Sequence, residues 1–219
     1  MIVSDPGNDS VYVNPGSGNG QFLLAYSSSD SRLLQYGGYS HCSCQSWTIH
    51  ACTNCYLFAD TRFGYSVNSA GDFNGDGIDD LVMGTPWRGG VVGWAGIYYG
   101  PPTCSANMDI LIQGEIPNFG TSISPAGDVN GDGYDDVVIG SYGDEYSNTK
   151  GRAYIYLGNP SGSQNRIVME GENIGDGFGY CVSKAGDVNL DGFDDVIISA
   201  GGERVFIYLG GQQMNNVPM

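Results

Sequence analysis

One nine-residue pattern occurs three times in this 219-residue chain and limits what it can fold into more than any other feature. The pattern is Asp-x-Asn-x-Asp-Gly-x-x-Asp, at 72–80, 128–136 and 187–195. Ala-Gly stands directly before each copy. A Phe-Gly pair lies further upstream, at Phe63-Gly64, Phe119-Gly120 and Phe178-Gly179. Successive copies are 56 and then 59 residues apart. Self-similarity at such a period marks a repeat architecture, in which each unit buries its apolar surface only against its neighbours.

Each repeat reads as a set of short strands. One precedes the acidic loop (Ser66–Ser69, Thr121–Ser124, Tyr180–Ser183), and a continuous apolar run follows it (Leu81–Met83, Val137–Ile139, Val196–Ile198). Such runs suit strands buried on both faces. An aromatic-rich third strand ends in glycine (Gly100, Gly158, Gly210). A fourth precedes the next Phe-Gly (Ile110–Gln113, Ile167–Glu170). Four strands per repeat is the pattern of a propeller blade. The expected fold is all-β, a β-propeller or partial propeller of four-stranded blades in one domain, 1–219. Its clear blades are 63–118, 119–177 and 178–219. Residues 1–62 read as a degenerate blade with a Cys-rich insertion. A shift of 59 lays Phe22–Ala25 on Leu81–Gly84 and matches Leu33–Gly37 and Tyr56–Asp60 to the third and fourth strands. The acidic loop there becomes Val13–Gln21, with every Asp lost. An unrelated cap is the other reading.

The repeated loop has the chemistry of a calcium site. Side-chain oxygens at positions one, three, five and nine are Asp72, Asn74, Asp76 and Asp80; Asp128, Asn130, Asp132 and Asp136; Asp187, Asn189, Asp191 and Asp195. Glycine at position six permits the bend that offers the carbonyl at position seven, from Ile78, Tyr134 or Phe193. Hard oxygen donors without His or Cys favour calcium, up to three ions. Magnesium would demand a tighter octahedron. An EF-hand would need a Glu at position twelve, where Met83, Ile139 and Ile198 stand. Dockerin-type loops continue into a helix, which the β-branched runs disfavour. The plainer alternative is a set of Asx turns without metal.

Charge narrows the partners. The formal net charge is −16, with 8 Lys and Arg against 24 Asp and Glu. The three loops hold four Asp each, half of all the acid. Nucleic acid and anionic membrane surfaces need basic patches, so neither is expected. Residues Met1–Ser10 lack an apolar run, and no stretch is long enough to span a bilayer. A secreted form would therefore be a mature or excised one.

Six cysteines include Cys42-x-Cys44 and Cys52-x-x-Cys55, beside His41 and His50. A zinc knuckle and one or two disulfides both fit that spacing; an extracellular calcium protein favours disulfides. Cys104 falls in a loop, and Cys181 reads as a small buried strand side chain. Catalysis finds little support. No nucleophile elbow or phosphate-binding loop occurs, and both His lie in the Cys-rich stretch. In the pairs Asp79/Asp80, Asp135/Asp136 and Asp194/Asp195 the second residue is the ninth loop position. The first is expected to accept backbone amides within its turn.

The Phe-Gly start, the Gly-Asp-x-Asn-x-Asp-Gly-x-x-Asp loop and the Gly-Thr-Pro end at 84–86 resemble the FG-GAP repeats of integrin α-subunit propellers. Similar repeats occur in glycosylphosphatidylinositol-specific phospholipase D and in bacterial surface proteins. The third motif departs from Gly-Ala-Pro at Gly140-Ser141-Tyr142 and Ser199-Ala200-Gly201. The resemblance covers 63–210 well and 13–62 weakly. It implies an extracellular or cell-surface module for adhesion or ligand recognition, not an enzyme; the alternative is a non-catalytic accessory domain of a secreted hydrolase. Its partners would be a protein or glycan ligand, the further blades of a larger propeller, or another copy of the chain. Loop residues such as Trp87-Arg88, Trp94 and Tyr142–Asn148 are the candidate contacts. Integrin-type members have seven blades.

Overall fold

The computed structural model describes residues 64–86, 92–100, 108–143, 148–201, 203–214 and 218 in full. Before them it describes the backbone of five short strands: β1 (Ile2–Asp5), β2 (Ser10–Val13), β3 (Phe22–Leu24), β4 (Ser43–Cys44) and β5 (Cys52–Thr53). The first clear repeat forms β6 (Ser66–Gly71), β7 (Asp80–Thr85), β8 (Val92–Tyr98) and β9 (Ile110–Pro117). The second forms β10 (Phe119–Gly127), β11 (Asp136–Ser141), β12 (Lys150–Tyr156) and β13 (Arg166–Ile174). The third forms β14 (Val182–Gly186), β15 (Asp195–Ala200) and β16 (Arg204–Tyr208).

Each repeat is one antiparallel meander, ordered β6-β7-β8-β9, β10-β11-β12-β13 and β14-β15-β16. No helix occurs among the described residues. The chain is therefore all-β, built from blade-like sheets that do not join edge to edge. The third sheet has three strands among the described residues, against four in each of the others.

The apolar runs explain the order. Every residue of β7 and of β11 is buried. In β11, Val137 and Ile139 face a core shared with the first sheet, where Val82, Ile97 and Phe119 also lie. Val138 points the other way, into a core with Val182, Val196 and Ile198 of the third sheet. The middle blade thus has two covered faces, which is why its central strand shows no polar alternation.

Several expected boundaries move. The second Phe-Gly lies inside β10 rather than ahead of it, because Phe119 pairs with Ser141. In the third repeat the strand begins at Val182, so Tyr180 and Cys181 precede it. Cys181 is exposed and free, not a buried strand side chain. It stands one residue ahead of the strand. In the early region, β2 pairs with β3 antiparallel, Val13 opposite Phe22. β1 pairs on the other edge of β2, a position without a strand in the later sheets. Leu33–Gly37 and Tyr56–Asp60 lie outside the described residues.

Candidate metal-binding loops at the blade joints

Each acidic loop is a ladder of Asx turns. At position one, Asp72 Oδ2 accepts from Gly77 N at 2.9 Å, Asp128 Oδ2 from Gly133 N at 2.9 Å, and Asp187 Oδ2 from Gly192 N at 2.9 Å. At position three, Asn74, Asn130 and Asn189 accept through Oδ1 from the amide of position five. Their Nδ2 atoms donate to the carboxylates of Asp76, Asp132 and Asp191. Those carboxylates accept in turn from the amides of Ile78, Tyr134 and Phe193. Gly77, Gly133 and Gly192 take φ of 85°, 90° and 94°, the left-handed bend that position six requires.

Position nine differs, because its carboxylates are fully buried at Asp80, Asp136 and Asp195. Each accepts two amides. Asp80 takes Asn74 N at 3.2 Å and Gly100 N at 2.8 Å. Asp136 takes Val129 N at 2.9 Å and Gly158 N at 2.8 Å. Asp195 takes Val188 N at 2.8 Å and Gly210 N at 2.7 Å. The buried acid thus ties its loop to the end of the blade's third strand. Burial pushes Asp136 up to about 7, although the amides of Gly158 and Val129 oppose this; the nearby Asp132 and Asp128 charges add to the rise. Asp80 rises to about 6 in the same way, with Asp76 and Asp72 as its like-charged neighbours. Two negative groups in one turn resist the ionisation of a third.

Position eight reaches outside its own loop. Asp135 Oδ2 accepts from Asp72 N at 2.9 Å, and Asp135 N donates to Asp72 O at 3.2 Å. Asp194 clasps Asp128 in the same two ways, both at 3.2 Å. Asp135 and Asp194 therefore each take a backbone amide, not within their own turn as expected but in the preceding blade; Asp79 takes none among the described residues. Position seven belongs to this joint as well. A Cβ on Gly75 would strike the Tyr134 ring, and one on Gly131 would strike the Phe193 ring. The ring of one blade thus lies over the position-four glycine of the blade before. Sequence inspection placed the glycines that end the third strands but missed this joint and the hydrogen bonds by which those glycines hold the buried acids. Their signal was present, because Gly100, Gly158 and Gly210 close the same strand in all three repeats.

Four of the five described cations serve other sites. Arg152 and Arg166 pair with Glu115, Arg152 and Lys150 with Glu170, and Arg204 with Glu172 and Asp176. Lys184 alone reaches a loop acid, Asp194 at 2.8 Å. Among the described residues no three Asp, Glu, His or Cys side chains converge on one point, because the loop carboxylates face their own amides. The donor set still fits a hard cation. Every side-chain donor at the four positions is an oxygen, and buried Asp72 Oδ1 has no hydrogen-bond partner among the described residues. An orphaned buried carboxylate oxygen is costly, and a cation would satisfy it.

The other sequence candidates are scattered. Trp87-Arg88, Phe63, Cys42, Cys55 and Cys104 fall outside the described residues. Trp94 is half-buried in β8. The Tyr142 ring packs against exposed Tyr180, centroids 5.2 Å apart.

Comparison with known proteins agrees with the geometry. Residues 63–98 and 119–156 match the FG-GAP repeat family. Over 174 residues, 74% of the chain, it is 36% identical to integrin alpha-V of Gallus gallus. It is 34% identical to integrin alpha-5 of Xenopus laevis over 70% of the chain, and 34% identical to integrin alpha pat-2 of Caenorhabditis elegans over 63%. The chain spans 16% of the length of the first two relatives and 12% of the third. The antiparallel blades, the Phe-Gly joints and these matches together identify residues 63–98 and 119–156 as FG-GAP repeats, in a chain similar to integrin α subunits.

Proposed function

We propose that the chain is a calcium-binding propeller module that works outside the cell or on its surface in adhesion or ligand recognition. It is a binding module rather than an enzyme. The observation that carries the calcium assignment is the uncompensated charge of the loops. Each places four carboxylates within nine residues, and loops one and two draw no Lys or Arg from the described residues. Asp72, Asn74, Asp76 and Asp80, with the carbonyl of Ile78, would hold one ion; the matching residues of the other loops would hold two more. The ion would supply positive charge at each blade joint and so stiffen the array. The similarity to integrin α subunits supports the adhesion class, with a protein or glycan as ligand.

Calorimetric titration of the chelator-stripped chain with calcium tests this reading. Two to three ions are expected, with one fewer in Asp132→Ala. No calcium binding at millimolar concentration would end it.

A further inference from the structure

The third sheet repeats the first three strands of the other two, but not at the places where a following blade would touch it. In the two joints among the described residues, the incoming Phe-Gly segment lies directly on glycine. A Cβ on Gly84 would strike the carbonyl of Gly120, and one on Gly140 the carbonyl of Gly179. A Cβ on Gly93 would strike the carbonyl of Phe119, and one on Gly151 that of Phe178. Such approaches leave no room for a side chain.

The strand registers assign the equivalent positions in the third sheet. Leu81, Val137 and Val196 lie opposite Tyr98, Tyr156 and Tyr208. Counting from these pairs, Gly84 and Gly140 correspond to Ser199, and Gly93 and Gly151 to Glu203. Ala95 and Ala153, both fully buried, correspond to Val205, which is 58% exposed. In the loop, Gly75 and Gly131 correspond to Leu190, which is 87% exposed and sits at φ 61°. Three glycines and one alanine are thus each replaced by something larger, and every one of the four lies where the next blade would have to make contact.

We infer that the third blade ends the array: Leu190, Ser199, Glu203 and Val205 block its trailing face against any further blade of the Phe-Gly type. The Leu190 side chain fills the place where the position-seven ring would lie. Ser199 and Glu203 meet the backbone of the incoming segment, and Val205 takes the space held by alanine elsewhere. A carboxylate at Glu203 also opposes a partner whose joint turn is acidic. Terminal repeats of linear arrays are atypical in this way, because an edge that accepted another copy would polymerise. The inference concerns the joint alone and holds with or without calcium in the loops.

The test appends a second copy of residues 101–177 directly after Gly210, the counterpart of Gly100, so that a fourth strand precedes the appended Phe-Gly as it does in the first two blades. Hydrogen exchange then reads whether the appended Phe-Gly segment and the Asp187 amide, the counterpart of the clasped Asp72 and Asp128 amides, become protected. On the native face both are expected to exchange freely. They are expected to become protected at least tenfold when Leu190→Gly, Ser199→Gly, Glu203→Gly and Val205→Ala are combined. Protection on the native face overturns the inference. Free exchange on both faces also overturns it, since those four side chains would then not be what excludes the blade. A converse variant covers the case in which the fourfold change misfolds. Gly140→Ser with Gly151→Glu in the unextended chain should expose Phe178 and Val182 to exchange while Phe119 stays protected. Unchanged protection of Phe178 would count equally against the stop.

Discussion

Asp135 holds the backbone of Asp72, 63 residues earlier, by two hydrogen bonds, one from each direction. Its carboxylate accepts the Asp72 amide while its own amide donates to the Asp72 carbonyl. One residue thereby fixes the start of an acidic loop in one blade to the turn of the next. Asp135→Ala should remove the carboxylate half of this clasp and cost about 1–3 kcal/mol, since it leaves a partly buried amide unpaired. Asp79 has the same sequence position, yet its carboxylate accepts no hydrogen bond among the described residues. Asp79→Ala should be near neutral. Urea unfolding of both variants checks the contrast, and equal losses would refute the clasp.

The joint glycines are expected to be far less tolerant than their third-blade counterpart. Gly131 has φ 75° and lies beneath the Phe193 ring. Gly131→Ala should therefore cost about 1–3 kcal/mol through backbone strain alone, with displacement of the ring added. Leu190 occupies the same loop position at φ 61° with nothing over it. Leu190→Gly relieves left-handed strain and adds chain entropy to the unfolded state, so it should fall within about 1 kcal/mol of neutral. Thermal melts of the two variants at one calcium concentration decide the point.

Much of this was legible in the sequence, for a physical reason. Val137-Val138-Ile139 could only be a doubly buried strand, and the spacing of Asp128, Asn130 and Asp132 could only be a tight polar turn. Both depend on neighbours within one repeat. The role of Asp135 could not be read, because its partner amide belongs to another repeat and backbone amides leave no mark in a sequence. The burial of Asp136 was hidden for a similar reason. An Asp in a loop motif reads as exposed, and only the Gly158 and Val129 amides explain how it lies inside. Cys181 lies exposed instead of buried because the strand starts at Val182 and not at Tyr180.

The raised acids give stability a pH dependence of definite sign. In the folded chain Asp136 lies at about 7 and Asp80 at about 6, both above their ordinary 3.8. Between about pH 4 and 7 the folded state therefore holds protons that the unfolded chain has released. Stability falls with rising pH wherever the folded state binds more protons. In chelator, the melting temperature should fall steadily from pH 4.5 to 7.5. Calcium binds the ionised carboxylates, so at millimolar calcium the fall should shrink or reverse. Parallel melts in chelator and in calcium make the comparison. Identical slopes would mean that these acids and the cation are not linked.

The cysteine-rich stretch gives a final expectation with a defined geometry. β4 and β5 pair antiparallel, with Cys44 directly opposite Cys52. Residues opposite one another in such a pair have Cα atoms about 4.5–5.5 Å apart, within the range that a disulfide spans. If this stretch is oxidised, as an extracellular location favours, Cys44 should bond to Cys52. Cys42 and Cys55 would then be left as the second pair. The alternative, zinc on four thiolates, needs all of them reduced. Peptide mapping without reductant should recover the peptides of Cys44 and Cys52 joined, with Cys181 free to react with a thiol reagent. Four alkylatable thiols at 42, 44, 52 and 55, with one zinc per chain by elemental analysis, would establish the metal knuckle instead.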